Sequence, residues 1–163
     1  MTSANGELEL LHDGSGWRVA LWKNLLLTTI STPPTAKDME AVRRGQARLL
    51  AEEGAVGGLT LVVGLRLAPF DLSEAMRSEI GKLMNVPNLR GHSAIVIESE
   101  GFASATVRAV LGALILLSKP ESPQKMFESR AEAARYLAIH ARSNWEPGEL
   151  LQAAAVLTAG FRR

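Results

Sequence analysis

The longest apolar run in the chain covers residues 102–117, in which Arg108 is the only charged residue. Apolar residues recur at i, i+3, i+4 and i+7 from any starting position, which predicts a helix that is covered on most of its sides. The run is shorter than the roughly 20 residues that a bilayer span needs. We therefore expect a central helix in the core of a soluble domain, and no membrane span.

Patterns typical of strands lie on both sides of this run. Alternating apolar and polar residues predict an antiparallel opening, with turn residues at 13–16 between its first two strands. Continuous apolar runs further along predict strands that are buried on both faces. The predicted strands cover residues 7–11, 17–22, 25–31, 59–65, 92–98 and 125–128.

Helical patterns separate the later strands. Thr35 with Asp38, and Asp71 with Glu74, have the three-residue spacing of a capping box and predict two helix N-termini. Pro147 suits the first turn of a last helix. Besides the central run, the predicted helices cover residues 35–53, 71–85, 130–141 and 146–161.

The order of these elements predicts the fold class. Strands that alternate with helices favour a parallel arrangement with helical crossovers. We expect a single α/β domain over residues 1–163, with its core at 17–141 and a C-terminal helix at 146–161. Its sheet should be mixed but mostly parallel, opened by an antiparallel hairpin and flanked by about five helices.

Composition narrows the classes of partner. The 163 residues include 47% hydrophobic and 21% charged residues, as in an ordinary globular domain. A formal net charge of +1 gives no long-range attraction for nucleic acid. The chain has no cysteine, and its first ten residues lack the pattern of a secretory signal. We expect a cytoplasmic protein that does not bind nucleic acid.

Residues 17–141 resemble the STAS-like domains of the sporulation anti-sigma-factor antagonist type. The resemblance rests on the opening antiparallel pair, the apolar helix, the strand-like residues 125–127 and the EAARYL helix at 132–137. It implies a STAS-like fold and a bacterial regulatory protein that works by docking. In the phosphorylated antagonists a serine begins the helix after a central strand, and Ser73 holds the corresponding position. The alternative for Ser73 is an ordinary residue at an exposed helix N-terminus.

No motif in the chain dictates a reaction. His12, His92 and His140 lie far apart in the sequence, and none has a second ligand at a metal-binding spacing such as H-E-x-x-H. The glycines at 13–16 are not followed by a helix, so they indicate a turn and not a phosphate-binding loop. We expect no metal, no cofactor and no catalytic residue.

A parallel sheet offers a crevice for ligands at the carboxyl ends of its strands. The loops expected there carry a mixed set of polar side chains that could hold a small polar ligand. Each of them is explained equally by a helix cap or a solvated loop charge. These residues are Arg66, Asp71, Ser99, Glu100 and Arg130.

Three functions follow from the sequence. The first is a non-enzymatic interaction or regulatory module that docks on a protein partner or self-associates, for example as a homodimer, through a face near residues 102–117 or the last helix. The second is a carrier of a small apolar molecule or lipid, which requires an apolar cavity between the central helix and the sheet. The third is an enzyme whose site is not recognisable in the sequence.

Overall fold

The elements of the chain follow one another in the predicted order. The computed structural model describes residues 6–52, 57–64, 73–87, 91–98, 102–140 and 144–161. These residues form six strands and five helices, which confirms the predicted α/β class. The strands are β1 Glu9–Asp13, β2 Trp17–Trp22, β3 Leu25–Ile30, β4 Gly57–Val62, β5 His92–Ile97 and β6 Gln124–Phe127. The helices are α1 Ala36–Leu50, α2 Glu74–Met84, α3 Phe102–Ser118, α4 Arg130–His140 and α5 Pro147–Thr158.

All six strands belong to one mixed sheet, in the order β1-β2-β3-β4-β5-β6. The pairs β1–β2 and β2–β3 are antiparallel, whereas β3–β4, β4–β5 and β5–β6 are parallel. The antiparallel opening and the parallel remainder are both as predicted. The parallel strands are added in one direction only, so this part of the sheet has no point at which the strand order reverses.

Helices cover both faces of the sheet. α4 and α5 pack on the back face through a cluster that includes Leu137, Leu150 and Leu157. α1 packs on the other face over β1, β2 and β3, and α3 packs there over β5. α2 lies between α1 and α3 and packs mainly on those two helices. We call the face under α1, α2 and α3 the cavity face.

Capping explains where the first two helices begin. The Thr35 hydroxyl accepts a hydrogen bond from the backbone N–H of Asp38, and the Asp38 carboxylate accepts one from the backbone N–H of Thr35, which is the predicted capping box. α2 begins later than predicted, because Ser73 is its N-cap and accepts from the backbone N–H of Met76. The predicted cap, Asp71, lies outside the described residues.

α3 confirms the helix predicted from the apolar run, but only one side of it is covered. Val107 is buried against the sheet and Leu114 is also buried, whereas Leu116 is 77% and Leu117 81% exposed. Coverage on most sides is therefore wrong for the single chain. Helical periodicity is uninformative in a run that is apolar all round, because every face satisfies it.

Two strands begin two residues away from their predicted start. β1 starts at Glu9 instead of residue 7, and β4 includes two glycines that were assigned to the preceding loop. Gly57 has a φ of +108°, and a Cβ there would lie 2.2 Å from the carbonyl oxygen of His92. Only glycine permits this approach between β4 and β5, since it lacks a Cβ.

Candidate functional site

α2 covers the middle of the cavity face without burying any of its own residues. Ile80, Leu83 and Met84 point towards the sheet, yet each remains half-buried. α2 is held at its sides by polar contacts, since the Gln46 side-chain amide donates to the carbonyl oxygen of Leu83 at 2.7 Å. The Asn85 amide likewise donates to the carbonyl oxygen of Ser118 at 3.3 Å. The apolar side of α2 therefore forms a roof above the sheet and packs on it only in part, through Leu83 and Met84.

The floor beneath this roof consists of small and polar residues on the central strands. Thr28 of β3 is the register partner of Thr60 of β4, and Gly58 of β4 is the partner of Ser93 of β5. Gly58, Thr60 and Ser93 are half-buried although their strands lie in the middle of the sheet. Residues this small do not reach α2, and the gap remains open.

The space between roof and floor is a cavity of about 180 Å³ that is partly open to solvent. It lies between α1, α2, α3 and the sheet, mainly over β3, β4 and β5. Aliphatic side chains dominate its walls, and a few neutral polar groups interrupt them; none of the lining residues that the structure describes is charged. The lining includes Leu26, Val42, Leu49, Ile80, Leu83, Met84, Val86, Ile95, Val110, Leu111 and Leu114, with Thr28, Gln46, Thr60, Ser93 and Gln124.

The ligand site predicted at the carboxyl ends of the strands is not assembled by the described residues. Arg66, Asp71, Ser99 and Glu100 lie outside them. Arg130 is described, and its guanidinium forms a two-pronged ion pair with the Glu98 carboxylate, with a second hydrogen bond to the Thr158 hydroxyl at 3.0 Å. Arg130 thus joins the end of β5 to α4 and α5.

Ser73 lies at an exposed position, where its hydroxyl caps α2. The accepted hydrogen bond from the backbone N–H of Met76 is 3.2 Å long. The phosphorylated serine of the STAS-like antagonists holds the corresponding position. Capping is also the ordinary role of a serine at a helix N-terminus. Modification of Ser73 stays a prediction.

Two histidines that are distant in the sequence meet on the back face of the sheet. The ring centroids of His92 and His140 are 5.3 Å apart, and Tyr136 contacts both rings. Nδ1 of His92 lies 3.0 Å from the Tyr136 hydroxyl. Burial, and secondarily the neighbouring His140, lower the pKa of His92. Sequence spacing could not reveal this cluster, because it forms only when α4 folds back onto β5.

The third histidine contributes to a different contact. Nε2 of His12 on β1 is 2.8 Å from the carboxylate of Asp38, which is buried at the start of α1. Among the described residues, no group of three or more His, Cys, Asp and Glu side chains is arranged to hold a metal ion. The titratable pairs of the described chain lie away from the cavity lining.

An exposed apolar surface runs along the outer side of α3. Ala105, Ala109, Ala113, Leu116 and Leu117 are all exposed there, at helical spacings that place them on neighbouring positions of one side. We call these five residues the α3 surface. It lacks charged residues, although an exposed helix side is usually polar.

Comparisons with protein-family models, curated protein sequences and solved structures give no match for this chain. In the part of the chain that the structure describes, no helix has both the length and the apolar character needed to cross a bilayer. The function must therefore be inferred from the cavity, the α3 surface and their chemistry.

Proposed function

We propose that this protein binds and carries a small, mostly apolar molecule in the cavity between the sheet and α2. The observation that carries the proposal is the cavity itself, about 180 Å³ in volume and lined mainly by aliphatic side chains. Ligand sites in proteins typically combine apolar walls with a few placed polar groups. The proposal corresponds to the second of the three functions that the sequence suggested.

The surroundings of the cavity distinguish it from an ordinary packing defect. Protein interiors are close-packed, and voids larger than a water molecule are few. Here a whole helix, α2, covers the cavity without burying any of its own residues, and the apolar side chains of Ile80, Leu83 and Met84 remain half-buried. A ligand in the cavity would bury these side chains and the central strands together, which the chain alone does not.

The lining also favours carriage over catalysis. Acid–base catalysis requires a titratable group within hydrogen-bond reach of the substrate. Within the described ranges, the cavity is lined by hydroxyl, amide and apolar side chains, of which none is a carboxylate, imidazole or amine. We therefore propose a non-enzymatic role.

A cavity-filling variant tests the proposal. Ile80 lines the cavity, whereas Ser78 lies on the exposed side of the same helix. Ile80→Trp should place an indole in the cavity and weaken toluene binding at least tenfold, and Ser78→Trp should leave it unchanged. Binding would be measured by titration of ¹⁵N-labelled protein with toluene in two-dimensional NMR spectra.

Two results would remove the proposal. One is the absence of saturable shifts in the wild-type protein up to the solubility limit of toluene. The other is equal binding by wild type and Ile80→Trp, provided that circular dichroism shows the variant to be folded. Shifts confined to residues of α1, α2, α3 and the central strands would support the site.

The α3 surface favours a second function, self-association. Exposed, contiguous apolar patches mark interaction sites more often than chance exposure does, and Leu116 and Leu117, at 77% and 81%, are the most exposed large apolar residues of the described ranges. We propose that two copies associate through this surface. Sedimentation should show a dimer at high micromolar concentration, and Leu116→Ser with Leu117→Ser should abolish it. A monomeric wild type would exclude this function.

The STAS-like resemblance is consistent with either function. An antiparallel opening followed by parallel strands with helical crossovers supports it at the level of fold. Beyond the fold, the resemblance suggests a regulatory, cytoplasmic role of the bacterial STAS type. Phosphate incorporation at Ser73 in cells, abolished by Ser73→Ala, is the observation that would support that role.

A further inference from the structure

Three hydroxyl groups line the floor of the cavity on three adjacent strands. Thr28 and Thr60 are register partners, so that their Cα atoms lie about 5 Å apart. Ser93 pairs with Gly58, two residues before Thr60, and is therefore the diagonal neighbour of Thr60. Diagonal neighbours on one face of a sheet are within reach of a common partner.

These hydroxyls have no protein partner in the part of the chain that the structure describes. The side chains of Thr28, Thr60 and Ser93 make no hydrogen bond to another described residue. None of them is fully enclosed without a partner, since Thr29 Oγ1 is the one such side-chain atom in the described residues. They therefore face the cavity as free donors and acceptors, and three together are more than a purely apolar ligand would use.

Charge is missing from the same surface. Among the described residues, those that line the cavity include no Asp, Glu, Lys, Arg or His. Burial of a carboxylate or phosphate without a cationic partner costs much more than burial of a neutral polar group. The lining therefore disfavours fatty-acid and phospholipid head groups and favours a neutral group that both donates and accepts hydrogen bonds.

We propose that the ligand is an uncharged molecule with a compact apolar body and a hydroxyl or similar neutral group that hydrogen-bonds to Thr28, Thr60 and Ser93. This inference rests on the proposed function and names its ligand class. An engineered cavity of about 150 Å³ accepts benzene. A cavity of about 180 Å³ therefore has room for a single ring, or a short branched chain, with one polar substituent.

Three probes that share one ring test this inference. They are toluene, benzyl alcohol and benzoate, which differ in having no polar group, a hydroxyl or a carboxylate. Dissociation constants would be measured at pH 7 by NMR titration of the full chain. Benzyl alcohol should bind about fivefold tighter than toluene, the factor that one ordinary neutral hydrogen bond supplies. Benzoate should bind at least tenfold more weakly than benzyl alcohol.

Threonine-to-valine variants test whether the hydroxyls on the cavity floor cause the preference for benzyl alcohol over toluene. Thr60→Val removes the hydroxyl at nearly constant shape and should reduce the preference for benzyl alcohol to less than twofold, with toluene binding retained. Thr29→Val makes the same chemical change on the back face of β3 and should leave the preference unchanged. If Thr60→Val does not fold, Thr28→Val and Ser93→Ala provide the same test.

The outcomes separate this inference from the function on which it rests. If none of the three probes binds, the proposed function and this inference both fail. If toluene and benzyl alcohol bind equally, or if every floor variant keeps the preference, the hydroxyl contacts are refuted while apolar binding stands. If benzoate binds most tightly, the uncharged ligand class is refuted.

Discussion

Thr29 offers a stability test that depends on one buried atom. It lies near the carboxyl end of β3, where its register partners are Arg18 on β2 and Leu61 on β4. Its side chain is fully buried, and Oγ1 is the one enclosed side-chain polar atom in the described residues that has no hydrogen-bond partner. The folded state therefore carries a desolvated hydroxyl that water satisfies in the unfolded chain.

Replacement of this hydroxyl by a methyl group should stabilise the protein. Valine keeps the β-branched shape that suits a strand, and an unsatisfied buried hydroxyl costs about 1–3 kcal/mol. We expect Thr29→Val to raise the free energy of unfolding by about 1–2 kcal/mol, since some of that cost is lost to imperfect repacking. For a domain of this size, the midpoint of thermal unfolding should rise by about 2–8 °C.

The neighbouring residue provides the matched control. Thr28 is nearly as buried, at 5% exposure, but its side chain faces the cavity instead of the back face. Thr28→Val should change the free energy of unfolding by less than half as much, because water in the cavity can satisfy that hydroxyl. Urea unfolding of the wild type and both variants would measure the difference. A loss of stability in Thr29→Val, or an equal gain in both variants, would refute the reasoning.

Two further predictions concern charged and titratable groups. Asp38→Ala should lower the free energy of unfolding by about 2–3 kcal/mol in urea titrations, because its buried carboxylate accepts from the backbone and hydroxyl of Thr35. Asp13→Ala, which removes an exposed carboxylate, should cost less than about 1 kcal/mol, and equal losses would contradict the capping argument. The lowered pKa of His92, caused by burial and then by His140, means that the unfolded chain binds a proton more readily. Stability should therefore be highest above the ordinary histidine pKa of about 6.5 and fall as the pH drops below it. His92→Gln should flatten this decline between pH 7 and 5 in denaturation curves, and an unchanged slope would contradict the assignment.

Local signals explain why most of the fold was predictable. The capping box of Thr35 and Asp38 involves residues three apart, so the sequence contains all of it. The turn between β1 and β2 and the apolar strands are equally local, and their order restricts the topology to a mostly parallel sheet. The predicted start of β4 was wrong, because Gly57 and Gly58 contribute no hydrophobic periodicity.

The cavity could not be predicted in the same way. Its lining comes from five strands, three helices and adjoining loops, and no window of the sequence contains them together. The pattern of Ile80 and Leu83 correctly predicts which side of α2 faces the sheet. Periodicity does not give the distance between α2 and the sheet. That distance depends on how far the small residues Gly58 and Ser93 extend from the floor of the cavity.

The rule that placed a ligand site at the carboxyl ends of the strands also depends on topology. Crevices form there where the strand order reverses and neighbouring crossovers leave in opposite directions. In this sheet, β3 to β6 are added in one direction, and α1 to α3 all cover the same face. The space for a ligand therefore opens on the face, under the middle crossover helix, instead of at the edge.

The size of the cavity limits the affinity of any ligand that it fully encloses. Removal of core atoms destabilises proteins by about 24 cal/mol per Å³ of cavity, so that 180 Å³ corresponds to about 4 kcal/mol of packing that the chain forgoes. A single-ring ligand that recovered all of it would have a dissociation constant near 1 mM. Tighter binding requires a ligand that extends further, and such a ligand must displace α2. α2 is suited to that movement, because it buries no residue of its own and is held by contacts with α1 and α3 such as those of Gln46 and Asn85. We therefore expect a physiological ligand with micromolar affinity to produce its largest NMR shift changes in α2, and such binding with α2 unperturbed would contradict this argument.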